Sequence, residues 1–165
     1  MTMLRPLPLL SLAALLLFVG VLWSDQPLVE AGHSMVELQF AGSAERAARI
    51  LDTWRTAGVE DAIRLNQQID FAFLLTYPAA LSLACRSLAG HLGPGQRIGH
   101  FLTRAVFACT VLDGAENLAI QVMLDHGARD SMARLATACA IPKFALAAWA
   151  IGWCLWALLR RVRLP

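Results

Sequence analysis

The chain alternates long apolar runs with shorter polar connections. Four of the runs are long enough to cross a hydrocarbon core, which takes roughly 20 residues with a range of about 17–25. Residues 7–23 form the first and hold no charge; the second covers about 69–89, with Asp70 and Arg86 near its ends. The third covers 105–124, and the fourth covers 135–159 with Lys143 inside it. The predicted fold is all-α: an integral membrane four-helix bundle forming a single membrane domain over 1–165. Its first connection, 24–68, is extracytoplasmic and itself partly helical.

That connection is too long for a simple turn. "SMVELQF" alternates apolar and polar positions enough to suggest a short strand. Ser43 is placed to cap a helix starting at Ala44. Ala47, Ile50, Leu51 and Trp54 then recur at helical spacing, and Gly58 suits the end. A second helical stretch from Val59 runs towards span two. The amphipathic stretch reads as a lid on the outer end of the bundle, the alternative being a helix that binds a partner. Further on, "GHLGPGQRIGH" reads as a turn between spans two and three. Its glycines, Gly93, Gly95 and Gly99, follow no strand and miss the dinucleotide fingerprint.

Composition sharpens the membrane reading. Hydrophobic residues make up 58% and charged residues 16% of the 165, against about 25% charged in a soluble domain. The net charge of +2 and the scattered basic residues argue against nucleic acid as a partner. Only one of the 14 basic residues, Lys143, is a lysine, and richness in arginine and alanine suggests a GC-rich bacterial genome. Cys85, Cys109, Cys139 and Cys154 all lie in apolar runs without a C-x-x-C pair, as buried thiols do. His91 and His100, nine residues apart with no carboxylate or thiol nearby, make no metal site, and no cofactor motif is present.

Charge also orients the spans. Arg5 precedes span one; Arg86, Arg97 and Arg104 surround the connection between spans two and three; Arg160, Arg161 and Arg163 follow span four. The first connection instead carries Asp25, Glu30, Glu37, Glu45, Asp52, Glu60 and Asp61 against four arginines. The positive-inside rule then predicts a bacterial inner-membrane protein with both termini cytoplasmic. A signal peptide cleaved after Ala31 is the alternative for span one. Its apolar run exceeds the usual ~7–15 residues, so the expectation is an uncleaved helix.

Candidate chemistry lies in "VLDGAENLAIQV", where Asp113, Glu116 and Asn117 fall at i, i+3 and i+4 on one helix face. A charge at mid-membrane costs between about 3 and 15 kcal/mol, so such residues face a partner or a wet cavity. From the outer-side markers Asp70, Asp125 and Arg134, a rise of ~1.5 Å per residue puts Tyr77, Asn117, Glu116 and Lys143 about 10–13 Å deep. Asp113 falls at about 18 Å, without an evident cationic partner at its own depth. Pro78 and Pro142 free the carbonyls of Leu74 and Ala138 in the same layer. Thr76, Thr110 and Gln121 extend the set of possible donors and acceptors. Glu116 is the natural counter-ion for Lys143.

Three uses of this layer remain open. It is a self-satisfied network fixing helix packing, at about 0.6–2 kcal/mol per polar contact. It binds a proton, a cation or a lipid head group. Or it does chemistry on a lipid, with Glu116 or Asp113 as general base and Tyr77 or Lys143 positioning the substrate. Beyond the lipid bilayer, the partners to consider are another membrane protein or a second copy of the chain, since Ala115/Ala119 and Ala148/Gly152 are small-x-x-x-small pairs. Trp149, Trp153 and Trp156 recur on one side of span four. The overall expectation is a small multi-pass binding or accessory protein. An embedded enzyme and a structural subunit of a larger complex are the alternatives.

"DFAFLLTY" (Asp70 to Tyr77), followed by "LDGAENLAI" (Leu112 to Ile120), resembles a group of small, uncharacterised bacterial membrane proteins with four spans. The outer segment "ELQFAGSAERAARILDTW" is similar to theirs too, so the likeness runs from Glu37 to about Leu124. It implies the four-span architecture and covers Asp70, Tyr77, Asp113, Glu116 and Asn117. Lys143 is not part of the shared pattern.

Overall fold

A computed structural model of the chain describes residues 6–90 and 95–163. Among the described residues it is built of helices alone: α1 (Pro6–Glu30), α2 (Met35–Gln39), α3 (Ala44–Ala57), α4 (Glu60–Ala89), α5 (Gln96–Ala105), α6 (Phe107–His126) and α7 (Asp130–Arg163). Four stretches are long and apolar enough to cross a membrane: Leu7–Glu30, Glu60–Ala89, Gln96–His126 and Asp130–Arg161. The all-α four-helix bundle expected from the apolar runs is the observed fold, and the chain is read as a multi-pass membrane protein. Arg5 and His91 lie outside the described residues.

Each span extends beyond the apolar run that announced it. α4 runs for 30 residues and α7 for 34, about 45 and 51 Å at the helical rise. α4 is the central helix: α1 packs along it, and α5, α6 and α7 also lie against it, with α7 flanking α6. α1 has α4 as its main neighbour and turns Leu12, Leu16, Val19 and Trp23 outward.

The short helices close one end, here called the cap end. Ser43 caps α3 by accepting the Arg46 amide, and Gly58 ends it at φ 67°, a conformation that favours glycine. The strand expected in "SMVELQF" is instead the helix α2. Ser34 accepts the Glu37 amide as its N-cap, and the residues it buries, Met35, Leu38 and Gln39, follow helical rather than alternating spacing. The lid reading of α3 holds: Ala47, Ile50, Leu51 and Trp54 are buried with Leu28, Met123 and Ala136 in one apolar core. Trp54 Nε1 donates to the carbonyls of His33 (3.0 Å) and Leu28 (3.3 Å). Asp25 Oδ1 accepts the Met35 amide and Asp130 Oδ1 accepts the Ala44 amide, each at 2.7 Å, which ties the cap to α1 and α7.

A second apolar core fills the opposite end, from Cys85, Leu88, Ala89, Leu102, Val106, Ala150, Trp153, Cys154 and Ala157. Here the expected turn over "GHLGPGQRIGH" is already helical from Gln96. Ser82 Oγ donates to the Thr103 carbonyl at 2.7 Å and pins α5 to α4. Gly99 is required there: a Cβ would stand 2.5 Å from the Trp153 ring and 2.7 Å from Ala89 Cβ. The three tryptophans of α7 therefore do not share one environment. Trp153 is buried, while Trp149 lies out by Phe101 (5.7 Å between ring centroids) and Trp156 under Arg160 (5.1 Å). Ala148 and Gly152 sit on the exposed face of α7 and mediate no packing within the bundle.

Candidate functional site

Between the two apolar cores lies the polar layer. Its residues come from three helices that pack on one another, α4 (Asp70, Tyr77), α6 (Asp113, Glu116, Asn117) and α7 (Lys143). All six residues picked out from the sequence are brought into one neighbourhood.

Lys143 is its hub. Nζ donates to Asp113 Oδ1 at 2.8 Å and to Glu116 Oε1 at 2.9 Å. The Glu116–Lys143 pair is thus present, and the unpartnered state expected of Asp113 is not: it shares the same ammonium. The depth argument misses this because it compares Cα positions. One helical turn separates Asp113 from Glu116, and a lysine side chain spans that distance. All three residues are at most 5% exposed. The ammonium also lies 4.7 Å from the Phe144 ring centroid, a cation–π distance. Asn117 Nδ2 donates to Asp70 Oδ2 at 2.8 Å. The Tyr77 hydroxyl faces Asp113 and Cys109.

Of the two carbonyls freed by Pro78 and Pro142, one gains a side-chain donor, and it comes from Thr110 rather than from Asn117 or Lys143, which donate to carboxylates. Pro78 leaves the Leu74 carbonyl without a helical donor, and the Thr110 hydroxyl of α6 approaches it at 3.4 Å. Ala138, whose carbonyl Pro142 frees, sits on the exposed face of α7.

The layer is unbalanced in two ways. Three carboxylates, Asp70, Asp113 and Glu116, face one ammonium, so two negative charges stay uncompensated when all are ionised. Hydrogen-bond acceptors also outnumber donors. Glu116 Oε2, Asn117 Oδ1, Gln39 Oε1 and Gln67 Oε1 are buried without a partner. Gln39 and Gln67 had no place in the expected site. The signal that marks them is apolar surroundings: each is a carboxamide on a buried face, Gln67 one turn before Asp70 and Gln39 at the end of α2.

A cleft of about 280 Å³ opens onto the layer. Asp70, Asp113, Tyr77 and Lys143 form its floor, and Met35, Val36 and Gln39 of α2 roof it on the cap side. Phe18 and Leu22 of α1 stand on one side, Phe144, Ala147 and Ile151 of α7 on the other. Phe18, Leu22, Phe144 and Ile151 are each roughly half exposed, so the mouth opens sideways on the apolar flank of the bundle. Along one wall Phe18 tilts against Phe73 and Phe73 stacks on Tyr77, with ring centroids 5.9 and 4.7 Å apart. Asp25 stands at the edge and Asn66 beside it, its amide donating to Ser24 Oγ and the Val21 carbonyl. Glu116, one of the two candidate bases, lies behind this surface and does not line the cleft.

No group of His, Cys, Asp and Glu fit for a metal ion occurs among the described residues. His100 is exposed on α5. The four cysteines are free and buried; Cys85 and Cys154 meet in the far core with their sulfurs 3.6 Å apart. Comparison with protein-family models, with curated proteins and with solved structures finds no match.

Proposed function

We propose that the chain is a binding protein of the bacterial inner membrane, both termini cytoplasmic, that takes in an amphiphile sideways from the bilayer and holds its polar head on the acidic layer. The observation that carries this reading is the cleft itself. Its walls are apolar and aromatic, its floor is Asp70, Asp113, Lys143 and Tyr77, and its exposed rim residues belong to helices long and apolar enough to cross a membrane. A ligand site joins apolar lining to a few convergent polar groups, and this cleft does so near the small end of the usual ~300–1,000 Å³ range. It has room for a head group and the first carbons of a tail; the rest of the tail runs out along exposed residues of α1 and α7.

A second feature supports binding over packing. A network that only fixed helix register would satisfy its own groups, since each buried unpaired acceptor costs about 1–3 kcal/mol. Four acceptors are buried without partners around the layer, and one of them, Gln39 Oε1, belongs to a residue that lines the cleft.

The test is mass spectrometry of gently extracted protein beside an Ala147→Trp variant, whose indole fills the mouth from α7. The parent is expected to carry an amphiphile that Ala147→Trp lacks at an unchanged unfolding midpoint. Equal occupancy in both, or none in the parent, would contradict the reading. For the orientation, reporter fusions after Gly90 and after Pro165 should both report cytoplasm.

A further inference from the structure

Resting on the amphiphile reading, we infer that the head group this cleft selects is a protonated amine: a lipophilic organic cation with N–H donors, rather than an anionic or neutral head. The inference starts from what the cleft lacks. Three of its polar side chains, Asp25, Asp70 and Asp113, are carboxylates, against which stand the Tyr77 hydroxyl, the Gln39 amide and the third N–H of Lys143. Asp70 is partly exposed to the cleft and has one neutral donor, the Asn117 amide. Gln39, 6% exposed and part of the roof, holds an Oε1 with no donor at all. Asn117 Oδ1, just behind Asp70, is equally unpartnered. Lys143, the cation at the floor, already spends two of its three N–H groups on Asp113 and Glu116. A ligand that brings donors and a positive charge suits the carboxylates that face the cleft; one that brings further acceptors adds to the surplus.

Charge points the same way. Asp25 at the rim and Asp70 and Asp113 at the floor line one small volume against a single, doubly paired ammonium. A phosphate or carboxylate head would meet three acids. A protonated amine supplies the missing counter-charge, with a charge-assisted bond to Asp70 and, once its carboxamide turns toward the cleft, to Gln39 Oε1. The walls add a third, independent argument. Phe18, Phe73, Tyr77 and Phe144 all line the cleft; Phe73 stacks on Tyr77, Phe18 tilts against Phe73, and Phe144, stacked on Phe40, already hosts the Lys143 ammonium at 4.7 Å. Aromatic faces beside carboxylates are how proteins hold organic ammonium groups. An inorganic cation would leave these apolar walls without a partner.

The experiment uses the full chain in phosphatidylcholine nanodiscs at pH 7, with four probes of one tail length: dodecylamine, dodecyltrimethylammonium, dodecanol and dodecanoate. Empty nanodiscs and the Ala147→Trp variant correct for partitioning into lipid. Dodecylamine, protonated at this pH, should bind at least about tenfold tighter than dodecanol or dodecanoate, because charge-assisted bonds are roughly twice as strong as neutral ones. It should also exceed dodecyltrimethylammonium, which has the charge but no N–H. Asp70→Asn and, separately, Gln39→Leu should each shrink the preference for dodecylamine over dodecanol. The second variant keeps the test open if the first misfolds. Dodecanol or dodecanoate binding as tightly as dodecylamine, with all of them blocked by Ala147→Trp, would overturn the amine assignment and leave the amphiphile reading standing. A preference unmoved by both Asp70→Asn and Gln39→Leu would also overturn it. No probe displaced by Ala147→Trp would sink both.

Discussion

The polar layer and the far apolar core share two helices, α4 and α7, with α6 completing the layer and α5 the far core, yet they are solved in opposite ways. In the far core, Leu88, Leu102, Val106 and Ala157 are buried and Trp153 presses on Gly99, so that α4, α5 and α7 meet with no room to spare. The polar atom left unpartnered there is the Trp153 indole N–H. Two turns away α4 and α7 stand apart around a cleft, with three acids, one lysine and several acceptors that nothing satisfies. A bundle already held by the far core and by the cap core needs no third, half-satisfied layer to fix its packing. The contrast teaches that stability and selectivity are divided along the bundle axis: apolar ends hold it together, and the middle stays open.

Changes in the two regions should therefore have different signatures. The largest effect is expected from Lys143→Met, which strands Asp113 and Glu116 without a cation. Breaking a buried pair from one side costs about 3–5 kcal/mol, so unfolding in detergent should show a loss of that order. Adding Asp113→Asn and Glu116→Gln to the same chain should recover most of it. If Lys143→Met is neutral on its own, the lysine bridge contributes nothing and the layer has been misread.

Next comes the far core. Gly99→Ala places a methyl 2.5–2.7 Å from Trp153 and Ala89, and overpacking of this kind costs about 1–3 kcal/mol. The unfolding midpoint should fall while the bound amphiphile is kept. Adding Trp153→Phe should return part of the loss. The smallest effect is at the cap: Ser43→Ala removes the Arg46 N–H partner at the start of α3 and should cost about 1 kcal/mol, read as faster amide exchange in α3 without change in the membrane helices.

The two regions also differ in how legible they are from sequence. The layer's members could be picked out because a carboxylate in an apolar run is rare, and helical spacing alone puts Asp113, Glu116 and Asn117 on one face. Lys143 stood out as the lone lysine. The pairing of Asp113 was missed because rise per residue locates Cα atoms, whereas a lysine ammonium ranges over more than a turn. Gln39 and Gln67 were missed because glutamine is common on polar surfaces, and only the docking of α2 beneath α3 buries them. The far core left almost no trace. Gly99 reads as part of the turn between spans two and three, since nothing in "GPGQRIGH" says that a tryptophan 54 positions later will lie on it. Short α2 was misjudged as a strand for a related reason: over five residues, alternation and helical spacing overlap, and the Ser34 cap decides between them.

The claim that the middle of the bundle binds while its ends hold is tested most directly by measuring bound amphiphile and unfolding midpoint on the same samples of the parent, Asp70→Asn and Gly99→Ala. Asp70 has one neutral partner and a face on the cleft; Asp70→Asn keeps an oxygen to accept the Asn117 amide, and is predicted to lose the amphiphile with a smaller fall in midpoint than Gly99→Ala shows. Gly99→Ala is predicted to do the reverse. Occupancy that rises and falls with the midpoint across all three proteins would contradict the account and make the layer part of the packing after all.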